Sequence, residues 1–148
     1  MQKFIGFIFL SIFVATPVCA EWTAENCTSR GGRFFTDPNT GKVFCASEAI
    51  MNWWSANAWC QRHGGRLADI HDLCPGVGLT SGNACPNLTA RNDALWRQSG
   101  QDNWTRNTII QNGQIKVVVV ARSNHSGGTP YLAFKSPAGV TGPVICDE

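Results

Sequence analysis

Apolar residues come first as a block. Phe4 to Ala15 is almost unbroken hydrophobic sequence, with Lys3 before it and Val18-Cys19-Ala20 placing small residues ahead of Glu21. A positive start, a short apolar stretch and a small-residue cut site predict a secretory signal peptide over residues 1–20. The stretch is about 12 residues, whereas a membrane span needs roughly 20. A lipidated Cys19 would want a smaller residue than Val18 before it, and a pilin-type cut after Gly6 would want Glu where Ser11 stands.

Beyond the leader the apolar positions fall into short segments. Arg33-Phe34-Phe35 and Lys42-Val43-Phe44-Cys45 flank Asp37-Pro38-Asn39-Thr40-Gly41, which predicts a hairpin between Arg30 and Ala46. Trp53, Ala56, Cys60 and His63 then recur at helical spacing behind Asn52, a suitable N-cap, and Gly64-Gly65 ends the helix. Arg66 to Ile70 alternates as a short strand, with Leu67 and Ile70 inward. His71 to Cys74 forms one helical turn before Pro75 stops it. Pro75 to Asn92 is Gly-, Asn- and Pro-rich loop. Ala94-Leu95-Trp96, Gln114–Ala121, Tyr131–Phe134 and Val144-Ile145-Cys146 complete the strands, and the four valines of the second imply burial on both faces. Helices followed by short strands make an α+β pattern, with one main helix and a short second one packed on mostly antiparallel strands.

Composition narrows the setting. Without the leader 128 residues remain, one domain's worth at 21–148, with residues 21–46 as an N-terminal hairpin extension. Of seven cysteines, Cys19 leaves with the leader and six stay, an even number that implies a full set of disulfides in an exported, extracytoplasmic protein. Losing Lys3 leaves eleven basic residues against ten acidic ones, scattered without a run or stripe. That argues against nucleic acid or an anionic membrane as partner. Asn26, Asn87, Asn103 and Asn124 each open a glycosylation sequon.

Reactive chemistry is sparse. There is no hydrolase elbow, phosphate loop or HExxH. His63, His71, Cys74 and Cys85 have workable zinc spacing, but oxidised cysteines are not ligands. A catalytic thiolate would need a free cysteine, and the even count leaves none. The expectation is a protein that is not an enzyme. Two polar loops are the candidate ligand contacts: Gln101 to Asn107, with Gln101, Asp102, Asn103, Trp104 and Arg106, and Arg122 to Tyr131, with Arg122, Asn124, His125 and Tyr131. For Trp104, stacking on a sugar or peptide competes with folding back on the core.

From Trp53 to Ile70 the sequence WWSANAWCQRHGGRLADI resembles the first helix and following strand of the C-type lectin-like family. Trp53, Ala56, Cys60, Gly65, Leu67 and Ile70 carry the resemblance, and the closing Val144-Ile145-Cys146-Asp147-Glu148 is similar to the family's terminal strand. Ala94-Leu95-Trp96 is a weaker echo of its central strand, and the hairpin looks like the long-form extension. Six cysteines allow 15 pairings, and spacing selects none of them. The resemblance implies Cys60–Cys146, Cys74–Cys85 and Cys27–Cys45.

The chain departs from the family at the calcium and sugar triplets. Neither Glu-Pro-Asn, Gln-Pro-Asp nor Trp-Asn-Asp occurs, and Asp102-Asn103-Trp104 has related residue types in another order. The expectation is therefore no calcium and no other cofactor. The family's second internal bridge also lacks matching cysteines. Together these readings predict a secreted or cell-envelope binding module for a glycan, peptide or protein ligand. The alternative is a structural subunit of a surface assembly, such as a pilus-like or adhesin complex, without sugar binding.

Overall fold

The computed structural model describes residues 22–37, 40–85, 102–121, 129–139 and 142–148. The expected leader and the Ala94–Trp96 strand lie outside them. The chain is mixed α+β: a seven-stranded sheet, three short helices among the described residues and three disulfides.

Helix α1 (Ala24–Ser29), which the apolar pattern did not predict, precedes the hairpin. A local exchange starts it: the Asn26 N–H donates to Thr23 Oγ1, and the Thr23 N–H donates back to Asn26 Oδ1. Strands β1 (Gly32–Thr36) and β2 (Val43–Met51) form the expected hairpin, antiparallel from Gly32↔Ser47 to Thr36↔Val43. The hairpin is no appendage, because β2 also pairs with the last strand, β7 (Gly142–Asp147).

Helix α2 (Trp53–Arg62) starts where Asn52 Oδ1 accepts the Ser55 N–H at 2.9 Å, and it stops at His63 with Gly64 at a φ of 85°. Strand β3 is shorter than expected, only Arg66–Leu67. Asp69 accepts the His71 N–H and caps α3 (Ile70–Leu73), so Ile70 is buried from a helix and not from a strand.

The larger correction concerns 102–107. Asp102–Gln111 is strand β4, not a polar loop. It turns at Asn112-Gly113 into β5 (Gln114–Ala121), which pairs with β6 (Tyr131–Lys135). The sheet order is β1-β2-β7-β4-β5-β6, with β3 paired to β7. The β4–β7 contact is parallel, at Trp104↔Val144; the other pairings are antiparallel.

Two apolar cores flank this sheet. Trp22, Cys27, Cys45, Ala56, Cys60, Leu67, Trp104, Val117, Val119, Val144 and Cys146 fill one. Phe44, Ala46, Ala68, Ile70, Leu73, Cys74, Cys85, Val118, Val120, Leu132 and Ile145 fill the other. Successive strand residues point to opposite faces, so Val117 to Val120 feed both cores in alternation. The described start of the chain is tied to its end. Trp22 Nε1 donates to the Asp147 carbonyl at 3.2 Å, and its backbone N–H donates to Glu148 Oε1 at 3.0 Å. Its ring stacks on Trp59, and the Arg30 guanidinium lies over the ring, 5.5 Å from its centroid.

Candidate functional site

Five of the nine expected ligand contacts, Asp102, Asn103, Trp104, Arg106 and Tyr131, fall among the described residues. Gln101, Arg122, Asn124 and His125 lie outside the described residues. Trp104 is 0% exposed, and its Nε1 donates to the Met51 carbonyl at 2.7 Å. Of the two readings of this indole, the core one describes its position. Asn103 is also fully buried, on the opposite face of β4, beside its cross-strand partner Val120. Neither its amide nitrogen nor its oxygen has a hydrogen-bond partner. Asp102 pairs with Lys135 Nζ at 3.1 Å. Tyr131, on edge strand β6, is partly open to solvent and bridges to Ala84.

Arg106 belongs to a polar network that fastens the β3–α3 turn to β4 and β7. Its Nη2 lies 2.9 Å and its Nε 3.0 Å from Asp69 Oδ2. Asn107 Oδ1 accepts the Ile70 N–H at 2.7 Å, and its amide reaches Asp69 at 3.4 Å. Asp147 accepts from Arg66 Nε at 3.0 Å and from the Asp69 N–H at 3.3 Å. Burial raises the Asp147 pKa above the ordinary aspartate value, against opposition from Arg66, the Asp69 N–H and Arg106. Burial also pushes Asp69 upward, but the His71 N–H, Arg106 and Asn107 outweigh it, and its pKa is lowered. Acid–base chemistry needs a carboxylate that can reach a substrate proton. These two are occupied by donors from their own chain.

His63 has a lowered pKa, from burial first and then from Arg30 and Arg62, and its ring meets Trp59 edge-on at 4.6 Å. Cys74 and Cys85 are bonded to each other, so the zinc set is incomplete. Among the described residues no group of three or more His, Cys, Asp or Glu could hold a metal.

Several large apolar side chains among the described residues stand open to solvent. Trp54 is 59% exposed, Ile110 79% and Ile115 64%, with Ile50 about half open. Ile110 and Ile115 face each other across β4 and β5, one pair from the turn, where Asn112 and Gly113 have φ of 53° and 71°. Val117 is the β5 residue at which pairing with β6 ends, so the hairpin tip extends past that neighbour. Asn-Gly between Ile109-Ile110 and Ile115 is a strong hairpin signal, and it could have identified this element from sequence. Helical spacing sets Trp54 off the inward face of α2 that Trp53, Ala56 and Cys60 form.

A cavity of about 410 Å³ lies in the Cys74–Cys85 loop, lined by Pro75, Gly76, Val77 and Asn83 among others, with no titratable side chain among the described residues that line it. A smaller one of about 190 Å³ is bordered by Lys42, Arg66, Asp72 and Asp147; Lys42 pairs there with Asp72, and Arg66 with Asp147. No helix among the described residues is long and apolar enough to cross a membrane. Comparison with known proteins finds no matching family model, no matching curated protein and no matching solved structure.

Proposed function

We propose that this chain is an extracytoplasmic, calcium-independent binding module with a C-type lectin-like frame, recognising a glycan or a protein surface. The observation that carries the reading is the contrast between a covalently fixed scaffold and the large apolar side chains left on its outside. Three disulfides suit an oxidising compartment. Trp54, Ile110 and Ile115 are exposed, whereas the ionic groups of the network are engaged with one another. Such a surface favours recognition over acid–base chemistry.

The lectin-like frame is supported by the bond from Cys60 on α2 to Cys146 on β7, the strand at the middle of the sheet. The test is a glycan array in the presence and absence of a chelator, beside capture of partners from a cell-envelope fraction. Binding that survives chelation supports the reading. Absence of both glycan and protein partners refutes it.

A second reading, a subunit of a surface assembly, is favoured by one observation. The Ile110–Ile115 pair sits on a hairpin tip that extends past β6, a shape suited to insertion into a neighbour. Under this reading the wild type binds no glycan, and Ile110→Ser with Ile115→Ser abolishes assembly.

A further inference from the structure

We infer that the outer face of the first turn of α2, centred on Trp54, is the contact site for a neutral carbohydrate. The inference rests on the binding-module reading and gives it a location and a ligand class. An exposed indole forgoes the stabilisation its large apolar surface would gain by burial. Trp54 stays 59% exposed although α2 already directs Trp53, Ala56 and Cys60 toward the core.

The indole is also held in place. It meets Trp53 at 4.7 Å and 75°. Trp53 in turn donates its Nε1–H to the Thr105 carbonyl at 2.8 Å and its backbone N–H to the Pro137 carbonyl at 3.3 Å. The helix is bonded to β7 through Cys60. A ring fixed in this way loses little freedom when a ligand stacks on it.

The surroundings select the ligand class. From Ala49 to Gln61 the sequence contains no charged residue, and Arg62, which follows at the end of α2, turns its Nε onto the Ala58 carbonyl at 3.3 Å. Near Trp54 in the chain stand Asn52, Ser55, Asn57 and Gln61, which offer amides and a hydroxyl. Asn52 Oδ1 is occupied by the Ser55 N–H, which leaves its NH₂ group as a donor. An aromatic plane matches the C–H face of a pyranose, and uncharged donors and acceptors match its hydroxyls. A uronate, sulfate or sialate would find no cation in this stretch to pair with.

The experiment titrates the folded protein with neutral gluco-, galacto-, manno- and N-acetylhexosamine oligosaccharides, and with sialylated and sulfated ones, following tryptophan fluorescence. Wild type binds at least one neutral oligosaccharide. Trp54→Ala weakens that binding by about tenfold or more, Trp54→Phe retains part of it, and Glu25→Gln, at an exposed position on α1, changes nothing. Circular dichroism and an unchanged disulfide map verify that the variants fold. Neutral glycan binding undiminished in Trp54→Ala overturns the site and leaves the binding-module reading standing. Binding restricted to anionic glycans overturns the ligand class. Capture of a protein partner with no glycan bound overturns the inference alone, and failure of every probe overturns both.

Discussion

Cys45 and Cys146 are direct cross-strand partners on β2 and β7, yet neither bonds to the other. Cys45 reaches Cys27 on α1 and Cys146 reaches Cys60 on α2, so two helices are stapled side by side on one face of the sheet. All four residues are fully buried in one core. The set of three bridges is the one the lectin-like resemblance implies, although spacing alone left 15 pairings open.

The bridges differ in what they constrain. Cys60–Cys146 spans 86 residues, against 18 and 11 for the others. On the chain-entropy model its loss costs about 4–5 kcal/mol, and each of the others about 3 kcal/mol. Urea unfolding of the three paired Cys→Ser variants checks the order. If the Cys74–Cys85 variant is the least stable, loop length is not what governs.

Gly32 is fixed by the first bridge. A Cβ there would stand 2.5 Å from Cys45 Sγ and 2.8 Å from Cys27 Sγ, closer than atoms can approach. Gly32→Ala is expected to cost about 2–3 kcal/mol, as overpacking of a rigid core does. Gly139→Ala, whose nearest contact is 3.8 Å, serves as the neutral control in the same denaturation series.

The two aspartates of the network give opposite pH dependence. Asp147, raised by burial, adds stability that is present below the ordinary aspartate pKa and lost as pH rises through its higher folded value. Asp69, lowered by its donors despite burial, adds stability that is present above the ordinary value and lost as pH falls through its lower folded value. On acidification the Asp147 gain therefore comes first and the Asp69 loss follows. Asp147→Asn should remove the gain and leave a steeper acid decline, and Asp69→Asn should flatten the decline. Thermal melts across the acidic range measure both, and superimposable profiles for the wild type and Asp147→Asn would contradict the assignment.

Asn103 is an unmatched polar group in an apolar setting. A buried amide without partners costs about 1–3 kcal/mol, so Asn103→Leu should raise stability by about 1–2 kcal/mol, read as a higher denaturation midpoint at unchanged slope. The same burial bears on its sequon. A glycan on Asn103 could not accompany this packing, so peptide mapping of folded protein from a glycosylating host should find the residue unmodified.

Much of the scaffold was legible. The β1–β2 hairpin, the Asn52 cap, the spacing of Trp53, Ala56 and Cys60, and the four valines each carry a local signal that tertiary structure respects. Strand β4 was not legible because its polarity suggested solvent. Thr105 Oγ1 bonds to the Val118 carbonyl, Asn107 to the Ile70 N–H and Arg106 to Asp69. Those partners are 13 to 37 residues away in sequence. A polar run whose groups are matched at long range looks like a loop until the sheet is assembled. The exposed Trp54 is the opposite case: helical spacing sets it off the face that Trp53, Ala56 and Cys60 share, and there it stands open to solvent.

The alternation of Val117 to Val120 has a thermodynamic consequence. Val117 and Val119 belong to one core, Val118 and Val120 to the other, so neither layer can open without prising away the same strand. The two layers should melt together in one transition, and the amide protons of β5 should be among the last to exchange with deuterium.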